Sequence, residues 1–426
     1  MKFHSQFVLL GKRRFLPLFL TQALGAFNDN VFKNALVILI TFELAARSGS
    51  DPRLMVTAAA GIFILPFFLF SATAGQLADR YDKARIIRLV KLVEILLMLG
   101  AAVGFYLQNL NYLLGILFLM GAQSAFFGPL KYGILPDHLA RNELISGNGL
   151  IQAATFLAIL LGTLVGGLLI LTDGGARTIS ITVLLLAIAG WLASRAVPAT
   201  ASAAPDLKVR LNFLVETWSI ITYGARRPEI FRPTLAVSWF WLVGATFLAQ
   251  LPTFGKVSLG GDEGVVTLLL LVFSIGIGAG SLLCNRMLHG EIHLTYVPFG
   301  ALGISLFALE LYFASTGGVA LQDKGLIGIS QFVSNWSGWR ILLDMFLIAL
   351  SGGIYIVPLN AVIQARSEQA HRARNIAMVN ILNALFMVVS AIVSALLLAL
   401  NFIVPELFLL LALANLGAVF FAAKML

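Results

Sequence analysis

The chain contains twelve stretches of mostly apolar residues that are long enough to cross a membrane, and no other feature restricts its fold as strongly. A transmembrane α-helix needs about 18 or more such residues. The predicted spans are 16–42, 54–78, 84–107, 111–135, 144–171, 178–196, 234–255, 265–288, 292–314, 338–363, 375–401 and 404–424. Only 12% of the residues are charged, whereas soluble domains contain about a quarter. We therefore predict an all-α membrane protein whose apolar surface faces lipid.

The longest polar stretch, 197–233, lies midway along the chain. It begins with small residues and prolines, a composition typical of a flexible linker. It continues as an alternately apolar and basic segment, which we expect to form a helix in the membrane interface. The sequence thus predicts an N-terminal six-helix half, 1–196, a cytoplasmic linker, 197–233, and a C-terminal six-helix half, 234–426.

The net charge of +9 follows the predicted topology. With a cytoplasmic N-terminus, 21 of the 29 Lys and Arg residues lie in cytoplasmic segments or near the cytoplasmic ends of spans, and three others, Lys33, Lys131 and Arg340, lie within spans. The five on the outer side are Arg47, Arg53, Arg177, Lys256 and Lys324. Cytoplasmic segments of membrane proteins carry this excess of basic residues. We therefore expect both termini in the cytoplasm and no nucleic-acid partner.

The chain lacks the motifs with which common enzymes bind phosphate or metal or activate a nucleophile. It has no Walker loop, no zinc-ligand spacing, no nucleophile elbow and no His-x4-Asp motif. Its single cysteine, Cys284, excludes an internal disulfide. We expect no enzymatic activity, no metal site and no cofactor.

Polar residues cluster at the middle of the first span: Asn28, Asp29, Asn30, Lys33 and Asn34. A charge at this depth costs about 2.5–3.5 kcal/mol on insertion scales, so it needs a partner or a hydrated cavity. Asp29 and Lys33 are four residues apart on one helical face. They either form an ion pair that fixes helix packing or line a central cavity, where Gly25 and Ala26 would admit a close neighbour.

Lys131 follows Gly128-Pro129 in the fourth span. It either binds an anionic group such as a phosphate beside the carbonyl groups that Pro129 frees, or extends to the cytoplasmic interface. Its counterpart in the tenth span is Asn360. Asn380 and Asn383 of the eleventh span either add hydrogen bonds to the cavity or join helices.

Other charges lie within the predicted spans. Glu310 is in the ninth span, and Arg340 and Asp344, four residues apart in the tenth, are predicted to pair near the outer surface. Lys91 and Glu94 are predicted to form a local pair in the third span.

The two halves of the chain resemble each other. Pro129-Leu130-Lys131 and Pro358-Leu359-Asn360 each precede a short polar loop, and each loop leads to an asparagine that begins the next span, Asn148 or Asn375. The fourth and tenth spans are six apart, so the repeat is parallel. This is the arrangement of the major facilitator superfamily, in which two six-helix halves rock about a central cavity.

The loop between the second and third spans, GQLADRYDKAR, resembles a motif of that superfamily. The matching residues are Gly75, Leu77, Asp79, Arg80, Lys83 and Arg85. The second glycine of the motif is replaced by Asp82. An acidic side chain here can contact the N-terminus of another helix and pair with arginine. We expect a gate that breaks when the halves rock, and the alternative is an ordinary charged loop.

Several motifs together resemble the bacterial lysophospholipid transporter family, which belongs to the major facilitator superfamily. They are FNDN in the first span, GPLKYGIL in the fourth, SGNGLIQAATFLAILLGT in the fifth, VPLNAVIQ in the tenth and RNIAMVN in the eleventh. Asp29 and Lys131 match the acidic and basic positions of the family. In many bacteria the family is fused to an acyl-acyl-carrier-protein synthetase/acyltransferase, and this first span is most similar to the fused relatives.

The resemblance implies inward flipping of lysophospholipids, such as lysophosphatidylethanolamine, across the bacterial inner membrane for re-acylation. The ammonium group would contact Asp29 and the phosphate Lys131. Because the chain ends after the twelfth span, the acyltransferase is expected to be a separate partner. The transporter is expected to be a monomer. Proton-coupled efflux of amphipathic compounds, with Asp29 or Glu310 carrying the proton, is the alternative transport function. A membrane scaffold for a lipid enzyme is the alternative without transport.

Overall fold

The computed structural model describes residues 6–44, 52–316 and 326–426, and within these ranges it contains twelve long helices and no β-strand. We number them in chain order: α1 Leu16–Leu39, α2 Pro52–Arg80, α3 Lys83–Leu107, α4 Leu110–Gly133, α5 Leu144–Ile170, α6 Gly175–Arg195, α7 Pro228–Thr253, α8 Glu263–Leu288, α9 Val297–Thr316, α10 Trp336–Arg366, α11 Arg372–Ala399 and α12 Val404–Ala423. Each overlaps a predicted span, so the all-α prediction is confirmed. Arg47 and Lys324, used above for topology, lie outside the described residues.

Ten of these helices are long and apolar enough to cross a membrane by length and composition alone. The other two are α1 and α3, which carry the polar cluster of the first span and the Lys91–Glu94 pair. These charged residues lower the hydropathy of α1 and α3, although each helix overlaps a predicted span.

The segment between α6 and α7 is shorter than the predicted linker because α7 begins at Pro228 rather than at 234. Proline is favoured in the first turn of a helix, where its missing N–H costs no hydrogen bond. Phe213–Ala225 forms a helix, here called the linker helix, and Asn212 caps it by accepting a hydrogen bond from the Val215 N–H at 3.2 Å. Leu214 and Trp218 on this helix are about 70% exposed, the arrangement expected of a helix at a membrane surface.

The chain divides into two compact units. The first contains 1–147, 157–231 and 363–384, and the second contains 148–156, 232–362 and 385–426. The first unit therefore includes the linker helix and the beginning of α11.

In the first unit, α6 packs against α1 and α3, and α2 packs against α4. The buried core of α1, α3, α4 and α6 is apolar, with Phe32 of α1 edge-on to Phe105 of α3 at 5.6 Å between ring centroids. This packing holds α1 and α3 side by side, which is what places their polar residues together.

In the second unit, α9 packs against α12. The buried Asn415 of α12 donates to the Ala301 carbonyl at 2.7 Å and to Ser305 Oγ at 2.9 Å on α9. It also accepts from Trp239 Nε1 of α7 at 2.8 Å. One polar side chain in an apolar helix thus joins three helices through hydrogen bonds.

Candidate functional site

The polar residues of α1 meet a charged pair on α3. Lys91 Nζ lies 2.6 Å from Glu94 Oε2, and both side chains are 1% exposed, which confirms the predicted local pair. Glu94 also accepts hydrogen bonds from Asn28 Nδ2 of α1 and Gln123 Nε2 of α4, each at 2.9 Å. A buried charge is tolerated only when paired and hydrogen-bonded, and here three helices provide the partners.

Gly25 lets the Lys91 ammonium lie directly against α1. A Cβ atom at position 25 would be 2.2 Å from Lys91 Nζ, which is closer than real atoms approach. The close approach that the sequence predicted at Gly25 is therefore made by a lysine of the same unit.

Asp29 lies one turn further along α1 and is only partly buried. It accepts a hydrogen bond from Ser124 Oγ of α4 at 2.7 Å. In the described part of the chain no ion pair joins Asp29 to Lys33, whose ammonium instead lies 5.7 Å from the Phe63 ring centroid. The geometry thus leaves both charged groups partly accessible rather than neutralised by contact.

The remaining asparagines of α1 are bound within the helix or to α5. The amide of Asn30 donates to the Ala26 carbonyl at 2.8 Å. The amide of Asn34 donates to the Asn30 carbonyl at 2.9 Å and to Thr163 Oγ1 at 3.0 Å. These bonds fix the orientation of α1.

Lys131 projects from the end of α4, which continues through Pro129 to Gly133. The side chain is partly buried, and its ammonium lies 4.9 Å from the ring centroid of Tyr132. Among the described residues, no carboxylate contacts it. The charges of Asp29 and Lys91 lie close enough to act on it. It is a cation in a membrane helix without a contacting anion.

The three other predicted asparagines are distributed between the units. Asn380 and Asn383 belong to the first unit, where the Asn380 amide lies against Gly128 of α4. Asn360 belongs to the second unit and is partly buried.

A second polar cluster lies where α2 ends and α11 begins. Asp79 is fully buried and accepts hydrogen bonds from the backbone N–H groups of Ala373 at 2.9 Å and Arg374 at 3.2 Å. Arg374 Nε adds a charge-assisted bond at 3.0 Å. A carboxylate at a helix N-terminus is stabilised by the unpaired N–H groups and by the helix dipole. Asp79 therefore fastens the first turn of α11 to α2.

Lys83 extends this cluster toward the end of α4. Its Nζ lies 3.0 Å from Asp137 Oδ2, and Asp137 also binds Arg372 Nη1 at 2.9 Å. Lys83 is 1% exposed. One carboxylate thus joins the start of α3 to the start of α11.

Asp82, which replaces the motif's second glycine, is accommodated without strain. Its φ is −56°, so no glycine is needed. Its Oδ1 accepts from the Ala84 N–H at 2.9 Å and thereby caps α3. It also accepts from the N–H and hydroxyl of Thr200 at 2.9 and 3.0 Å, which ties the linker to the loop.

The other motif residues have different surroundings. A Cβ at Gly75 would be 2.8 Å from Ala377 Cβ and 3.0 Å from the Ala373 carbonyl, so glycine allows α2 and α11 to touch. Arg80 packs on the Tyr81 ring, with Cζ 5.2 Å from its centroid. Arg85 is exposed, and in the part of the chain that the structure describes it makes no ion pair. The arginine that binds Asp79 is Arg374.

The charges of α9 and α10 pair differently from the prediction. Arg340 Nε lies 2.5 Å from Glu310 Oε1 of α9, so the predicted Arg340–Asp344 pair is wrong. Asp344 is instead turned inward at 3% exposure, whereas Glu310 reaches the same guanidinium from the neighbouring helix.

Several residues of these clusters were not predicted from the sequence as site residues. Gln123 and Ser124 are two of them, and they lie on α4 about two turns before Lys131, which the sequence did single out. Their polar side chains within an apolar span were a usable signal. Asp137, Arg372 and Arg374 lie in polar loops or helix ends, where charged residues are ordinary, so no comparable signal marks them.

Residues 18–329 match the family model of the Major Facilitator Superfamily. The lysophospholipid transporter LplT of Citrobacter koseri is 27% identical over 357 residues, which cover 83% of this chain and 80% of that protein. LplT of Salmonella typhimurium is 28% identical over 364 residues, covering 84% and 82%.

Solved structures show the same fold. The human organic anion transporter MFSD10 has a TM-score of 0.74 at 14% identity, covering 96% of this chain and 99% of that one. The E. coli fucose:proton symporter FucP has a TM-score of 0.67 at 14% identity, covering 99% and 100%. At such identity the likeness concerns the fold alone.

The chain belongs to the Major Facilitator Superfamily: it is a multi-pass membrane transporter with the twelve-helix fold of two six-helix halves, and it is not an enzyme. Within that class, the resemblance to the bacterial lysophospholipid transporters that the sequence motifs indicated is confirmed.

Proposed function

We propose that this transporter moves lysophospholipids, such as lysophosphatidylethanolamine, from the outer to the inner leaflet of the bacterial inner membrane by alternating access. The proposal is supported by relatives named as lysophospholipid transporters, which align with more than four fifths of this chain. The flipped lipid would then be re-acylated by a separate acyltransferase. The transporter would act as a monomer with both termini in the cytoplasm.

The observation that carries the proposal is the pair of partly accessible opposite charges in the first unit. Asp29 is held by a neutral hydroxyl and Lys131 by an aromatic ring, and within the described residues neither is neutralised by an ion pair. A zwitterionic head group carries both complementary charges. Its ammonium suits the Asp29 carboxylate, and its phosphate suits the Lys131 ammonium.

The other predicted polar residues would complete a hydrated lining. Lys33 is a second cation for the phosphate, and Asn28, Asn30, Asn380, Asn383 and Asn360 would add hydrogen bonds. We assign Asn28 an indirect part because its amide is bound to Glu94.

We propose that the cluster of Gly75, Asp79, Arg80, Lys83 and Arg85 is part of a cytoplasmic gate. Two contacts support this proposal, the bonds of Asp79 to the backbone at the start of α11 and the pair of Arg372 with Asp137, because both would have to break if the start of α11 moved away from α2. Lys83 binds the same Asp137 carboxylate and holds it in place. Arg80 and Arg85 contribute charge at the same cytoplasmic end.

The test compares two substitutions on two substrates. Purified, folded variants in liposomes are given fluorescent lysophosphatidylethanolamine or lysophosphatidylglycerol, and the lipid protected from extraction by albumin is measured over time. Lys131→Ala should reduce flipping of both lipids, because both contain the phosphate. Asp29→Asn should reduce flipping of the ethanolamine lipid more, because only that head group brings a cation. The loss should be at least tenfold, since leaving a buried charge without its partner costs about 3–5 kcal/mol.

The wild-type protein and Arg177→Gln, a variant at an exposed arginine outside the proposed site and gate, are the controls. If the two substitutions reduce the two lipids in the same proportion, the residues act only in packing and the head-group site is refuted.

A further inference from the structure

The Lys91–Glu94 pair lies beside the proposed head-group site but is shielded from any ligand. Both side chains are 1% exposed, and their charged atoms are 2.6 Å apart. Burying an ion pair in a membrane helix gives little stability compared with apolar residues of similar volume. Stability alone therefore does not account for the Lys91–Glu94 pair.

Glu94 is enclosed by partners from its own protein. Its Oε2 accepts from Lys91 and Gln123, and its Oε1 accepts from Asn28. With three donors around a carboxylate that is 1% exposed, no substrate reaches the group. It can act on a substrate only through its neighbours or its charge.

The neighbours of Glu94 and its charge both act on Asp29. Gln123 is followed directly by Ser124, whose hydroxyl donates to Asp29 Oδ2 at 2.7 Å. The Lys91 ammonium lies against Gly25, one turn from Asp29 on the same helix. The charges of Glu94 and Lys91 are close enough to act on the Asp29 carboxylate.

We propose that Lys91 and Glu94 are specificity-determining residues that set the electrostatic potential at Asp29 and hence the preference for cationic over uncharged head-group ends. This rests on the function proposed above. Because the charges of Glu94 and Lys91 offset each other, the negative potential of the Asp29 carboxylate remains available to attract the ammonium group of the lipid. Neither residue touches the lipid.

Opposite substitutions should therefore shift the preference in opposite directions. Glu94→Gln leaves the Lys91 cation beside Asp29, so the ratio of ethanolamine to glycerol lysolipid flipping should fall. Lys91→Met leaves the Glu94 anion, so the ratio should rise. At an effective dielectric constant of about 20, an uncompensated charge within about 12 Å of the ammonium group changes its binding by at least roughly tenfold. The double variant Lys91→Met/Glu94→Gln should restore the wild-type ratio.

Three variants separate this effect from folding. Gln123→Ala removes a hydrogen bond from Glu94 without changing charge, so the ratio should stay at the wild-type value. Glu94→Asp keeps the charge and should preserve the ratio. Gly25→Ala places a methyl group where the Lys91 ammonium lies, and by displacing that cation it should raise the ratio even if the single charge variants fail to fold.

The outcomes are distinguishable. If wild-type protein flips neither lipid, the proposed function fails. If it flips both, and Glu94→Gln, Lys91→Met and Gly25→Ala all keep the wild-type ratio, the specificity role is refuted while the proposed function stands.

Discussion

Asp79 of α2 binds the start of α11, which lies almost 300 residues later in the sequence, and it also binds the linker. Its side chain accepts three hydrogen bonds from Ala373 and Arg374, and its backbone carbonyl accepts two from the linker residues Ala203 and Ala204. The residue is fully buried. Removing its charge would therefore leave donors at the start of α11 with a weaker acceptor.

We predict that Asp79→Asn increases access to the first unit from the cytoplasmic side. The substitution removes charge-assisted bonds, each worth about 1.5–3 kcal/mol. A cysteine at Asn380, introduced after replacing Cys284, should react faster with a reagent added to inside-out vesicles.

Asp206→Asn is the matched control, since it makes the same chemical change at an exposed carboxylate outside the gate cluster. Equal labelling rates in Asp79→Asn, Asp206→Asn and the parent protein, together with normal transport, would count against a gating role for Asp79.

The sequence could predict single residues at membrane depth but not most of their partners. Asp29 and Lys131 stood out because a charge in an apolar stretch is costly. The bonds from Asn28 and Gln123 to Glu94 depend on the packing of α1, α3 and α4, which no local pattern contains. The Arg340–Asp344 prediction failed for the same reason, because the partner came from another helix.

At the scale of elements, the positions of the helices followed from hydropathy, and their ends followed less well. Residues 228–233, the end of the polar stretch, are helical, so α7 begins at Pro228 rather than at the predicted 234. A helix was expected within 197–233, and the structure has one at Phe213–Ala225. Its position in the membrane interface stays a prediction.

The linker also binds the end of α2 and the start of α3. Gln76 of α2 exchanges two hydrogen bonds with the backbone of Arg210, at 3.1 and 2.8 Å. Thr200 is bound to Asp82. We infer that the linker stays on the side of the membrane where these loops lie.

That side is predicted to be the cytoplasm. In a Cys284-free background, Ala201→Cys should not react with an impermeant thiol reagent added to intact cells, and should react in inside-out vesicles. Asp173→Cys, between α5 and α6, is the opposite control and should react from outside, since both positions are exposed. Labelling of Ala201→Cys in intact cells would reverse the topology.

At the scale of the whole molecule, the sequence predicted the class of protein from the twelve spans, and the match to the superfamily confirms it. The parallel repeat, which pairs the first six helices with the last six, also appears in the backbone. The paired helices α1 and α7 both continue into a π-helical turn, Ile40–Leu44 and Phe254–Ser258. Residue composition could not identify a substrate, because an apolar chain with a few buried charges suits many solutes.

Transport by the purified wild-type protein in liposomes, with and without a proton gradient, separates a lysophospholipid transporter from a proton-coupled efflux transporter. We expect labelled lysophosphatidylethanolamine to cross the bilayer well above the rate in protein-free liposomes, while an amphipathic dye is not expelled. Dye efflux driven by the proton gradient, with lysophosphatidylethanolamine at the protein-free rate, would refute the proposed transport of lysophospholipids.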